Sequence, residues 1–227
     1  MRYIRKSGEP DSLKAYKSLE SEDWQPSYRE LDKDDLRRSL LEEQGHLCCY
    51  CMRRIRAGLS RIEHFLPQHM FKEEELNCSN LFLACSVSEG LPPSQQHCDI
   101  IKGDKLIPKY ILHPCCSAYF RYNLDGEILP FGSHTSIKSC ARNFDRLNAE
   151  QKTVFATIEL LNLNTERLKS QRKSIIYEII KRLDRVEKER IEQEIQKYEN
   201  KDNDGKFKRF CEVVLYFLNE RLRTLNE

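Results

Sequence analysis

Apolar positions along the chain fall into a helical spacing, then a strand-like spacing, then a helical spacing again. Leu36, Leu40 and Leu41 lie on one helical face, Asp32 or Asp34 is placed to cap it, and Gly45 stands where a helix ends; this predicts a helix running to about Gln44. The residues before it, 1–33, are mostly polar and contain Pro10 and Pro26. They predict an extended arm with a short strand at Arg2–Arg5 and room for one short helix. Farther on, Arg61-Ile-Glu-His-Phe-Leu-Pro-Gln68 reads as a strand ending in a proline turn, and Asn80-Leu-Phe-Leu-Ala-Cys85 as a second strand. His97 to Asp104 reads as the opening of a short helix. Aromatic and apolar residues around Asp125-Gly126, from Tyr119 to Leu129, carry a strong hairpin signal.

From about residue 146 the period becomes helical. Leu168, Ile175, Ile176, Ile179, Ile180, Leu183, Val186, Ile191 and Ile195 fall mostly on one face of a long helix, with Asn164 as its expected cap. Asn200 to Gly205 interrupts it, and a final helix is predicted from Phe207 to about Leu225. The pattern gives an α+β chain in four parts: an arm and helix (1–46), a cysteine-rich strand segment (47–105), a β-hairpin extension (106–135) and a helical region (136–227). No internal repeat or low-complexity tract is visible.

Composition narrows the class. A chain of 227 residues can bury one core with an attached element, or two small domains. No apolar run approaches the ~20 residues that span a bilayer, and Met1 to Lys6 lacks the apolar stretch of a secretory signal. The expectation is a cytoplasmic protein with no membrane partner. The net charge of +2 does not by itself point to nucleic acid. Residues 48–72, however, hold Arg53, Arg54, Arg56, Arg61 and Lys72 against a single acid, Glu63. Such a stretch suits a polyanion-binding surface with one special carboxylate.

Ten cysteines without an export signal suggest metal binding before disulfides. Cys48 and Cys51 form a Cys-x-x-Cys pair that can fold over one tetrahedral ion. The same spacing serves redox chemistry, but that reading needs a βαβ setting that the sequence lacks. Cys85 and Cys98 are the best candidates for the second half of the site, with Cys78 and His97 as alternatives. Taken singly, the residues between these cysteines have ordinary explanations. Glu63 could pair with Arg61, His64 could be a satisfied polar residue, Asn80 a turn residue, Asp99 a helix cap and Lys102 a solvated cation. His46, His69, His113 and His134 read as surface or packing residues.

Taken together, the order Cys-x-x-Cys, acid-His, Asn, Cys and then Cys-Asp-x-x-Lys-Gly resembles the HNH nucleases with a ββα-metal fold. In that broad family the second cysteine pair is close-set; here Cys85 and Cys98 stand apart and Asp99 follows. The departure is similar to a narrower group, the HNH proteins of the Septu anti-phage system (PtuB) and of some retron operons. The likeness is carried by Leu40-Leu-Glu-Glu-Gln-Gly, Cys48-Cys-Tyr-Cys-Met, Ile62-Glu-His-Phe-Leu-Pro-Gln, His97-Cys-Asp-Ile-Ile-Lys-Gly-Asp, Tyr119-Phe-Arg-Tyr and Leu161-Asn-Leu-Asn.

The resemblance implies a zinc-braced ββα-metal (HNH) core at 47–105, in which Cys48, Cys51, Cys85 and Cys98 hold a structural Zn²⁺. It implies His64 as the base that activates water and Asn80 as the residue that orients it or braces its loop. Glu63 and Asp99 would hold a catalytic Mg²⁺ or Mn²⁺, with His97 as the alternative to Asp99, while Lys102 and Arg61 would contact nucleic acid. It further implies a metal-dependent endonuclease acting on DNA, the effector of an anti-phage system working with a partner ATPase (PtuA-like) that docks on the helical region. A zinc module that only binds nucleic acid or protein, and an HNH nuclease of restriction or mobile elements, are the rival readings.

Overall fold

The computed structural model describes residues 1–132, 136–183 and 186–226; His134 lies outside them. The leucine spacing of the first helix is realised in α2 (Asp34–Glu43), which buries Leu36, Leu40 and Leu41. Gly45 follows in the left-handed conformation, φ +55°, as a helix end requires. The expected carboxylate cap is displaced: Lys33 occupies the cap position and its side chain makes no capping bond, and Asp32 accepts the Asp34 N–H at 3.1 Å in a local turn just before the helix. In the arm, α1 (Asp11–Lys17) buries Leu13, whereas residues 2–5 form no strand. Side chains tie this segment down instead. Arg2 donates to Glu212 (2.7 Å) and to the Glu199 carbonyl (2.7 Å), and Lys6 bridges Glu43 (2.8 Å) and the Leu81 carbonyl (2.5 Å).

Two small antiparallel sheets follow. β1 (Ser60–His64) pairs with β2 (Leu81–Cys85), so that Ser60 faces Cys85 and His64 faces Leu81. Every residue of β2 is buried, which is why its sequence is an unbroken apolar run and not an alternation. Gln44, just past α2, locks the helix to this strand: its side chain accepts the Leu83 N–H (2.7 Å) and donates to the Leu83 carbonyl (2.9 Å). The short α3 (Asp99–Lys102) comes next. β3 (Phe120–Tyr122) and β4 (Ile128–Pro130) form the predicted hairpin. At its tip Gly126, φ +77°, lies against α6 (Glu166–Leu183) so closely that a Cβ would be 2.2 Å from the Lys169 carbonyl oxygen. Only glycine allows that approach.

The helical half consists of α4 (Ile137–Arg142), α5 (Ala149–Leu160), α6, α7 (Lys188–Glu199) and α8 (Cys211–Asn226). α5 starts with a reciprocal capping box between Asn148 and Gln151. Three expectations are corrected here. Asn164 does not cap the long helix; its amide pairs with both the N–H and the carbonyl of Ile128 at 2.9 Å, continuing the hairpin edge, and the Thr165 hydroxyl accepts the Leu168 N–H. The apolar stripe through Ile195 is divided between α6 and α7. The last helix begins at Cys211 and not at Phe207, because Phe210 takes a left-handed turn (φ +54°). One buried cluster runs from Met1 to Leu218 and joins all four parts of the chain. Among the described residues no helix is long and apolar enough to cross a membrane.

Candidate metal centre and active site

The Cys48–Cys51 segment closes as a tight knuckle. The Cys48 N–H donates to the Arg53 carbonyl (2.9 Å), the Met52 N–H returns to the Cys48 carbonyl (3.1 Å), and Met52 adopts φ +60° to complete the turn. Cys85 enters from the end of β2, its N–H pointing at the Cys48 sulfur (3.3 Å). Cys98 enters from the start of α3 with φ +63° and ψ −137°, a conformation that costs a non-glycine residue about 1–3 kcal/mol. That strain is held by an N–H bond to the carbonyl of Leu161, just after α5 (2.9 Å).

The four buried sulfurs lie within 4.8 Å of one another, with Cys48–Cys98 at 3.8 Å and Cys51–Cys85 at 3.6 Å. Sulfurs placed ~2.3 Å from a tetrahedral zinc are about 3.8 Å apart, so the set fits Zn²⁺. It does not fit disulfides, which need ~2.05 Å. Burial opposes ionisation of Cys48, yet hydrogen bonds from the neighbouring thiols hold it well below the usual thiol range. Hydrogen bonding to Cys48 pushes Cys85 up, and burial pushes Cys98 up. A dication at the centre would let the set ionise together.

Neither alternative ligand joins the four. The Cys78 thiol donates to the Gly8 carbonyl at 3.5 Å. His97 lies beside the cluster, Nδ1 at 3.1 Å from the Cys98 sulfur and 3.8 Å from that of Cys85, and burial lowers its pKa to about 4. It is therefore a neutral imidazole whose ring faces the sulfurs.

The second constellation gathers at the other end of β1. His64 Nε2 is 3.1 Å from the Glu75 carbonyl oxygen. A carbonyl only accepts, so Nε2 carries the proton and Nδ1 keeps its lone pair. Tyr28 stands edge-on to the ring at 4.5 Å. Burial lowers the His64 pKa, with Glu75 opposing, so the ring is neutral at pH 7. Among the described residues the Asn80 side chain forms no hydrogen bond with His64. Its side chain accepts the Leu66 N–H (2.7 Å) and donates to the carbonyls of Leu66 (3.0 Å) and Glu74 (3.1 Å), closing the loop that presents the Glu75 carbonyl.

Glu63 is buried, and one of its oxygens receives both the Tyr50 hydroxyl and the Lys102 ammonium at 2.7 Å. Burial and then contact with Asp99 push its pKa well above the usual carboxylate range, while Lys102 opposes. Asp99, partly open to solvent, also pairs with Arg61 at 3.2 Å. Two carboxylates in contact need a proton or a cation between them. A hard divalent ion suits such a pair, with water or substrate oxygens completing its coordination.

Lys102 differs from expectation. Its side chain is 1% exposed and also donates to the His64 carbonyl (3.1 Å), so its charge is buried against Glu63 and the end of β1 and not solvated. Arg61, about half exposed, reaches Glu89 (3.0 Å) as well as Asp99.

No family model matches the chain. Over 140 residues it is 26% identical to a protein of Vibrio cholerae serotype O1 biovar El Tor described as "Retron Vc95 putative HNH endonuclease". This similarity supports the HNH endonuclease family. The matched stretch covers 60% of this chain and 61% of that protein, so the chain spans less than two thirds of the relative's length.

The structure brings Glu63, His64, Asp99, Lys102 and Arg61 into one neighbourhood, and Cys48, Cys51, Cys85 and Cys98 into another. Sequence reading missed Tyr28, Tyr50 and Glu75. Tyr50 sits within the cysteine knuckle and had a signal in its position. Tyr28 comes from the arm, and Glu75 acts through its backbone carbonyl, which leaves no mark in a side-chain pattern.

Proposed function

We propose that the chain is a metal-dependent HNH endonuclease that hydrolyses phosphodiester bonds of DNA. In this reading the β1–β2 hairpin, α3 and the cysteine cluster are a zinc-braced ββα-metal core within residues 47–105. The observation that carries it is the fixed tautomer of His64, whose Nε2 meets the Glu75 carbonyl while Nδ1 keeps its lone pair, on a ring that lies within the electrostatic reach of Asp99 and Lys102.

A neutral imidazole held this way can take the proton of an attacking water at Nδ1. The Glu75 carbonyl then stabilises the imidazolium through the Nε2–H bond. Asn80 keeps that carbonyl in place through the loop it closes. Lys102 and Tyr50 fix one oxygen of Glu63 and leave the other for the Asp99 side. Mg²⁺ or Mn²⁺ held by Glu63 and Asp99 would supply neutralisation of the charge developing on the phosphate. Arg61 offers an exposed cation at the edge of the same site.

The biological setting rests on the resemblance to Septu and retron HNH proteins. In this reading the nuclease acts in the cytoplasm as an anti-phage effector, controlled by a partner ATPase that docks on the helical half. Zinc content and plasmid cleavage with Mg²⁺ or Mn²⁺, comparing the chain with His64→Ala, test the reading. Metal-dependent cleavage that His64→Ala abolishes supports it. Equal cleavage by the variant removes His64 from the mechanism, and a zinc-loaded protein that binds DNA without cutting it, with or without an added ATPase, favours the non-catalytic zinc module.

A further inference from the structure

A cavity of about 290 Å³ lies where the cysteine knuckle meets the helical half. Four cations converge on it from three separate parts of the chain: Arg54 from the knuckle, Arg182 from α6, and Lys208 and Arg209 from the segment before α8. Its lining contains one acid, Glu178. The nearby Glu194 is engaged by Lys197 at 2.6 Å. None of these residues belongs to the His64 neighbourhood.

Bringing like charges together costs Coulomb energy, and an excess of unpaired cations in a concavity focuses a positive potential on whatever enters it. Two of the four are held in place. Arg54 donates to the Gly45 carbonyl (3.1 Å) and to that of Phe207, and the Lys208 ammonium lies 4.5 Å above the Tyr198 ring. Arg182 and Arg209 are exposed and, among the described residues, their side chains form no hydrogen bond or ion pair. The site therefore combines an anchored pair of cations with two free guanidinium groups, whose planar forks match phosphate oxygens. Tyr198 is 9% exposed and its face is already covered by Lys208, so the cavity offers no stacking platform for a base. Charge is what it presents.

We propose that this cavity is a second phosphate-binding site, which grips the sugar-phosphate backbone of the nucleic acid apart from the His64 site and without regard to sequence. The proposal rests on the nuclease reading above and adds to it a place where the substrate is held. It predicts that duplex DNA binding depends on Arg182 and Arg209 although neither takes part in the hydrolysis.

The test is fluorescence anisotropy of a labelled duplex with the full chain, at several salt concentrations, comparing wild type with the double variant Arg182→Gln, Arg209→Gln. Because both side chains are exposed and unbonded, the variant is expected to keep its melting temperature. The expected result is a roughly tenfold weaker affinity and a salt slope shallower by about 2, one for each phosphate that is no longer neutralised. KM for cleavage rises and kcat is retained. A control variant that removes two exposed lysines elsewhere, Lys14→Gln and Lys138→Gln, is expected to leave the salt slope unchanged; an equal loss there would reduce the effect to net charge and overturn the site.

Wild type that binds and cuts DNA while the double variant matches it in affinity and slope overturns the cavity alone. Wild type that binds no DNA overturns the nuclease reading and this one with it. Displacement of the duplex by polyglutamate as readily as by inorganic polyphosphate would assign the cavity to an acidic protein and overturn the phosphate reading.

Discussion

The two constellations at the ends of β1 are built on opposite principles. The cysteine cluster is four identical soft donors, all buried, with spacing that closes around a single ion. The Glu63–His64–Asp99 neighbourhood is a mixture in which each group is compromised by the next: Glu63 is buried against Lys102, Asp99 is shared with Arg61, and His64 is neutral with Nε2 held by the Glu75 carbonyl. A site that only holds structure satisfies every donor, whereas a site that does chemistry must keep one direction open. The first is rigid because it is complete. The second must be held rigid by its surroundings, and here Asn80, Tyr50 and Lys102 do so.

Four substitutions or conditions would break or sharpen this contrast. The largest effect is expected at the cluster. Cys48→Ser should release zinc and unfold the 47–105 segment, since structural zinc contributes an apparent ~10 kcal/mol or more to folding; metal analysis and circular dichroism report it. Asp99→Asn should leave zinc and melting temperature nearly unchanged while lowering Mn²⁺-dependent cleavage by about 100-fold or more. Loss of zinc in that variant would show that the two sites are not independent.

Lys102→Met should lower stability by ~3–5 kcal/mol, because Glu63 is then buried without its cation. If urea denaturation shows no loss, Glu63 is protonated in the native state and the ion pair is formal only. The smallest effect concerns pH. In the proposed mechanism the base is the neutral imidazole, and burial lowers the His64 pKa below its ordinary 6.5. Cleavage should therefore persist as pH falls through 6.5 and be lost only below it, as the ring protonates. An acidic limb at or above 6.5 in the pH–rate profile would contradict the burial argument.

The same contrast explains what the sequence made legible. Four cysteines carry their chemistry in their identity, so spacing was enough to choose Cys48, Cys51, Cys85 and Cys98 over Cys78. α2 and the Asp125-Gly126 hairpin were readable because burial of Leu36, Leu40 and Leu41 and the left-handed Gly126 are local requirements. Lys102 was misread for the opposite reason. A lysine taken by its residue type looks solvated or phosphate-facing, and only the three-dimensional approach of Glu63 draws it inside. Asn164 has the residue type of a helix cap, but the edge of β4 competes for the same amide and wins it with two bonds. The break between α6 and α7 was hidden because the apolar period continues across it.

The bond from the Cys98 N–H to the Leu161 carbonyl has a consequence for biosynthesis. A chain emerging from the ribosome exposes Cys48, Cys51, Cys85 and Cys98 well before Leu161 leaves the exit tunnel. Until then the Cys98 N–H lacks the carbonyl that it meets in the folded chain, and the thiol set waits for the helices that follow. Nascent chains arrested at increasing lengths and treated with an alkylating reagent should show Cys98 becoming protected only after Leu161 has emerged; protection in shorter chains would mean that the knuckle closes without its helical partner.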